Sequence, residues 1–166
     1  MSQSEKADGQ FEDGEIQGVV IRTLRQFEDA RGWLTELYRE DEVDPAYHPV
    51  MAYISSTRPD ITRGPHEHVA QADLFAFVGP SNFRLYLWDN REAISTYRRR
   101  MIVDVGESNP ATVLIPPGVV HAYKNIGDVD GWVINCANRL YCGEGRQEAA
   151  DEIRHERDPE TIYRVE

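Results

Sequence analysis

The stretch Arg63-Gly64-Pro65-His66-Glu67-His68, followed by Gln71 and Asp73, holds the densest set of chemically capable side chains in this 166-residue sequence. Side chains in a strand alternate between faces, so His66 and His68 point the same way and Glu67 points away. Two imidazoles side by side in a core need hydrogen-bonding partners for both, which separates an HxH pair from a lone structural histidine. A further histidine, His121, sits in Pro116-Pro117-Gly118-Val119-Val120-His121-Ala122-Tyr123-Lys124-Asn125. Together His66, His68, Asp73 and His121 make a mixed nitrogen and oxygen set suited to a divalent transition metal such as Mn, Fe, Ni or Zn, with positions open for a ligand. The same residues would equally serve as the polar lining of a metal-free barrel, and the residues alone leave the two open.

Short strands must position these groups. Residues 17–24 are rich in β-branched side chains, and apolar runs recur at 51–55, 74–78, 83–88, 100–105, 112–115 and 131–136. Turn signals such as Gly79-Pro80-Ser81-Asn82 separate them and no long 3.6-residue period intervenes, so the pattern predicts an all-β sandwich or barrel and not a βαβ fold. Pro116 to Asn125 matches the PxGxxHxxxN motif of cupins at every fixed position. His66, His68, Asp73 and Gly79 resemble their HxHxxxx(E/D) motif, with Asp for the usual Glu and the glycine one residue early. The resemblance implies a cupin-type β-barrel or jelly roll. Residues 143–166 exchange alternation for charge, and are expected to form a short helical or extended tail, with one helical turn around 147–152, that wraps the barrel.

The length suits one domain, read as residues 16–166 behind a polar, acidic leader at 1–15 that is expected to be disordered and lacks the apolar core of a signal peptide. Hydrophobic residues at 40% and charged residues at 28% are ordinary for a globular chain. The longest apolar run, Leu74-Phe75-Ala76-Phe77-Val78, is far short of the roughly 20 residues of a membrane span, so no membrane partner is expected. Cys136 and Cys142 have no CxxC or zinc-ribbon spacing, which reads as reduced thiols in a cytoplasmic protein. A net charge of -11 opposes nucleic-acid and anionic-membrane binding, so an anionic ligand would need a local cluster of arginines.

Three segments resemble the dTDP-4-dehydrorhamnose 3,5-epimerases. Asp29-Ala30-Arg31-Gly32-Trp33-Leu34-Thr35-Glu36-Leu37-Tyr38 is similar to their D-x-R-G-x-x-x-E-x-[FY], Arg63 to His66 to R-G-x-H, and Ile115 to Tyr123 to I-P-x-G-x-x-H-G-[FY]. The resemblance implies a homodimeric, cofactor-independent isomerase of a nucleotide-linked 4-keto-6-deoxyhexose. It makes His66 the base, places Arg31, Glu36, Ser55, Arg63 and His121 around the substrate, and takes the acidic partner of the base from the segment Ile153 to Pro159. Asp158 is the first choice there and Glu156 the second. The implied chemistry is coherent, because a 4-keto group acidifies the C3 and C5 hydrogens and a proton returned to the opposite face inverts the centre.

Two positions depart from the family. Its Q-x-K-L segment supplies a lysine that stabilises the enolate, whereas this chain reads Gln71-Ala72-Asp73-Leu74; its tyrosine acid aligns with Asn135. Tyr141, Tyr123 and Tyr86 are the possible substitutes for that acid, Tyr141 first among them. A metal held by His66, His68, Asp73 and His121 in place of the lysine, as in a metal-dependent cupin isomerase or dioxygenase, is the alternative; a non-catalytic cupin that binds a sugar nucleotide is another.

Overall fold

Alternating apolar residues bounded by glycine, proline and asparagine dictate short strands. The computed structural model describes residues 11–166. Among them lie β1 (Glu12–Asp13), β2 (Val20–Thr23), β3 (Phe27–Asp29), β4 (Gly32–Leu34), β5 (Met51–Thr57), β6 (Thr62–Glu67), β7 (Asp73–Phe77), β8 (Asn82–Asp89), β9 (Arg99–Gly106), β10 (Ala111–Ile115), β11 (Val119–Asn125), β12 (Gly131–Ala137) and β13 (Ile153–Arg154). They build a jelly-roll-like sandwich of two sheets, ordered β1-β9-β8-β11-β6-β13 and β2-β10-β7-β12-β5, with β3-β4 as a separate hairpin.

The core lies between the sheets. Phe75 and Phe77 of β7, Phe83, Leu85 and Leu87 of β8, and Val113 and Ile115 of β10 pack there, each following its predecessor by two residues. Burying each such side chain contributes about 1.5–3 kcal/mol. Asp73 shares this face of β7 by the same alternation, so one strand carries the change from an apolar core to a polar end. The junction is a contact between the Phe75 and His121 rings, whose centroids are 5.6 Å apart.

The outer face of the six-stranded sheet is closed by the C-terminal tail, as expected of it. Tyr163, Ile162 and Val165, with Phe11, cover Tyr86, Trp88, Val120 and Ala122, and the Tyr86 hydroxyl donates to the Glu166 carbonyl at 2.8 Å. The helical turn expected at 147–152 is absent; the tail instead makes short turns at Glu144–Arg146 and His155–Arg157. The reason is Asp151, whose carboxylate accepts the backbone N–H groups of Val69, Ala70 and Gln71 at 2.9, 2.9 and 2.7 Å and draws that stretch out against the barrel. Residues 11–15, placed in the leader by the sequence pattern, belong to the fold: β1 pairs in parallel with β9 and Phe11 packs on Tyr163. Residues 1–10 lie outside the described residues. Among the described residues no helix is long and apolar enough to cross a membrane.

The asparagine that ends the PxGxxHxxxN motif is structural. Asn125 is fully buried, accepts from Ser81 Oγ at 2.7 Å and Gly127 N at 3.0 Å, and donates to the Thr57 and Val129 carbonyls at 2.8 Å each. Asn125→Ala removes one partner from each of these groups and should cost about 3 kcal/mol. The loss would be read as a lower denaturant midpoint with an unchanged slope.

Candidate active site

The R-G-P-H segment meets a geometric demand that simple alternation cannot. His121 stands opposite His66 and Tyr123 opposite Arg63, so three steps along β6 match two along β11, and the register shifts between them. This bulge lets Arg63, His66 and His68 all take the side of β6 that His121 and Tyr123 take on β11. Gly64 permits it, with φ of +88° and a backbone so close to β11 that an added Cβ would lie 2.5 Å from the His121 carbonyl oxygen. Pro65 suits the bulge because it has no N–H to pair. Glu67 faces outward, accepting from Asn90 Nδ2 at 2.9 Å and pairing with His155 Nε2 at 2.8 Å.

The result is a cluster of three histidines with ligating nitrogens within 4.8 Å of one another, built around Asp73. One Asp73 oxygen, Oδ2, lies 3.1 Å from His68 Nε2 and 3.3 Å from His121 Nε2. The other, Oδ1, accepts from Gln71 Nε2 and Asn135 Nδ2, each at 2.8 Å. Although burial opposes ionisation, the adjacent His121 and His68 rings hold the Asp73 carboxyl well below the usual carboxylate range. His68 has acceptors on both sides, because its Nδ1 bonds the Asp151 carbonyl. Burial works against its charge, but Asp73 and Asp151 outweigh that and push its pKa up to about 9, so the ring is an imidazolium at neutral pH. His66, whose ring centroid is 4.5 Å from that of His121, is pushed down to about 2 by burial and then by the neighbouring histidines, and stays neutral.

Among the described residues two buried side-chain polar atoms lack hydrogen-bond partners: Asn135 Oδ1 and His121 Nε2. The 3.3 Å approach of His121 Nε2 to Asp73 lies outside hydrogen-bond geometry, since the bond from Nδ1 to the Val119 carbonyl at 3.1 Å fixes the ring. The three histidines and Asp73 therefore fit a divalent cation in donor type, as well as fitting a proton-transfer cluster.

The other expected site residues are distributed unevenly. Arg63 lies beside the cluster, donating to Thr57 Oγ1 at 2.8 Å and the Ser56 carbonyl at 2.7 Å; Ser55 Oγ and the Tyr123 hydroxyl are 3.2 Å apart. Arg31, at the tip of the β3-β4 hairpin, has a side chain 90% exposed and paired with Asp29, and Glu36 is half-exposed near Arg39. Tyr141 is exposed and lines a depression of about 420 Å³ with Ala150, Glu152, Arg154 and Arg157. The acid expected from the tail is displaced. β13 does pair with β6, setting Arg154 opposite His66, but the turn at His155–Arg157 carries Asp158 to the surface, where its carboxylate accepts from Glu160 N at 2.9 Å. Glu156 is exposed as well. The carboxylate in the cluster is Asp73.

A jelly-roll sandwich that buries three histidines around one carboxylate places the chain among the cupin-type barrels. Sequence comparison gives the lineage: the profile of the dTDP-4-dehydrorhamnose 3,5-epimerase family matches residues 13–155, and the chain belongs to that family. It is 33% identical over 147 residues to the spore coat polysaccharide biosynthesis protein SpsL of Bacillus subtilis, covering 89% of this chain and 93% of that one. It is 32% identical over 127 residues to the probable low-salt glycan biosynthesis epimerase Agl13 of Haloferax volcanii, covering 76% and 81%. The crystal structure of a dTDP sugar isomerase from Desulfovibrio desulfuricans G20 superimposes with a TM-score of 0.77 at 24% identity over 91% of both chains, and shows the same fold.

Proposed function

We propose that this chain is a nucleotide-sugar 3,5- or 3-epimerase acting on a dTDP-4-keto-6-deoxyhexose in the cytoplasm. The observation that carries the reading is a buried cluster in which the His66 ring lies against His68 and His121 while Asp73 Oδ2 stands 3.1 Å from His68 Nε2. His66 accepts the proton from C3 or C5, and the electron pair of the C–H bond moves onto the keto oxygen. The lysine that stabilises this enolate in the family is replaced here by Asp73, an anion, but Asp73 holds His68 as an imidazolium and so returns a positive charge to the site. The low proton affinity of His66 rises as negative charge develops beside it. Arg63 holds the diphosphate as a charged donor from β6, with Ser55 and His121 lining the sugar side. The free thiols of Cys136 and Cys142 are in keeping with a reducing compartment. Incubating the protein with a dTDP-4-keto-6-deoxyhexose and following the sugar by proton NMR should show inversion at C3 or C5; unchanged stereochemistry would remove the proposal.

The working form is a homodimer. The β3-β4 hairpin stands apart from both sheets and exposes Phe27, Trp33 and Leu34, the last at 62%. β2 and β5 leave the five-stranded sheet with two open edges, which proteins cover to avoid uncontrolled pairing. Association through the hairpin would carry Arg31 and Glu36 to the substrate of the other subunit. Light scattering should give twice the 19.0 kDa chain mass, and Leu34→Glu should shift it to the monomer with a large fall in activity.

A second reading is favoured by the unbonded, buried Nε2 of His121. His66, His68, His121 and Asp73 would hold a divalent metal, which would supply Lewis-acid polarisation of a substrate oxygen. Stoichiometric metal in the purified protein, together with loss of activity on chelation, would favour it over the metal-free cluster.

A further inference from the structure

We propose that the hydroxyl of Tyr53 is the acid that returns the proton to the sugar carbon on the face opposite His66. The inference rests on the epimerase reading and deepens it. Inversion requires a donor on the wall facing the base, because a proton returned from the base's own side restores the starting configuration. His66 stands on β6 in the six-stranded sheet, so the donor must come from the five-stranded sheet across the interior.

Tyr53 stands there. On β5 it is the direct cross-strand partner of Asn135 on β12, and opposed residues of an antiparallel pair share one face of the sheet. Asn135 is 1% exposed and faces the cluster, so Tyr53 starts from the same interior face. Its oxygen accepts a hydrogen bond from Asn135 Nδ2 at 3.1 Å, and that nitrogen also donates to Asp73 Oδ1 at 2.8 Å. Accepting this bond leaves the Tyr53 proton free for a substrate and stabilises the phenolate left behind. Burial pushes the hydroxyl up to about 12, against the Asn135 bond, so each turnover begins with the proton in place. The residue is 46% exposed and can recover a proton from water afterwards.

The competing hydroxyls are placed wrongly. Tyr123 is on β11, in the same sheet as His66, with its ring packed on Phe75, Phe77 and Phe83 and its oxygen shared with Ser55. Tyr141 lies in the surface depression with Arg154 and Arg157. In the step assigned to Tyr53, its O–H bond breaks as the enolate's electron pair forms the new C–H bond; water then reprotonates the phenolate, and His66 releases its proton to water.

Tyr53→Phe separates this role from a structural one, read in heavy water with a dTDP-4-keto-6-deoxyhexose. The expected result is a loss of inversion of about 100-fold or more, while deuterium still enters C3 or C5 with retention within a few-fold of the wild-type rate, since His66 still removes and returns protons on its own face. Wild-type inversion by the variant, or a parallel loss of exchange and inversion, would overturn the assignment. A wild-type protein that exchanges no deuterium would overturn the epimerase reading itself, and the assignment with it.

Discussion

Replacing His66 with asparagine should lower deuterium exchange into a dTDP-4-keto-6-deoxyhexose by about 100- to 10,000-fold, the range that general acid–base groups contribute. The fold should survive, because His66 meets its neighbours through the edges of the His68 and His121 rings and the bulge that presents it is built by Gly64 and Pro65. An unchanged thermal midpoint alongside lost exchange would place the effect in chemistry. No acidic limb from His66 is expected in the pH profile between 4 and 8, because a base held down to about 2 is already free of its proton there.

Asp73→Asn should have the second largest effect, lowering the rate at neutral pH by about 100- to 1,000-fold, as loss of one oxyanion-stabilising group does elsewhere. Asparagine can still accept from Gln71 and Asn135 at the Oδ1 position, so the packing is kept while the charge goes. Burial alone lowers the pKa of an imidazole, and without Asp73 the remaining pull of Asp151 acts on His68 unassisted. The sign follows from the raised pKa: in the wild-type protein activity is retained below about 9 and falls as the pH rises through that value, as His68 loses its proton. In the variant this alkaline limb should move down towards the ordinary imidazole range, which a pH–rate series would show directly. Asp73→Lys would put the family's cation back; epimerisation kept or raised in metal-free conditions would count against the metal reading.

The strands and the cluster were legible where the signal is local. Period-two alternation places His66 and His68 together and sends Glu67 outward, and the PxGxxHxxxN motif locates His121 on the neighbouring strand. The replacement of lysine by Asp73 reads from sequence as an unanswered loss of charge, because its answer depends on contacts between separate elements: His68 beyond β6, His121 on β11 and the Asp151 carbonyl from the tail. The tail acid was misplaced for the same reason. Its segment does pair beside His66, but the turn that follows β13 is set by the docking of His155 on Glu67 and of Tyr163 on Trp88, which no local pattern announces. Asp151, which ties the tail to three successive backbone N–H groups, carries no signal beyond its charge. Tyr53 was within reach: alternation from Ser55, which the family resemblance assigns to the substrate, puts it on the same face of β5.

Deuterium uptake from heavy water into the C3 and C5 positions of a dTDP-4-keto-6-deoxyhexose, measured with metal-stripped wild-type protein, tests the central claim most directly. A neutral His66 beside a cationic His68 predicts exchange at one or both carbons without metal. No exchange by the stripped protein, with activity restored only by adding a divalent cation, would contradict it.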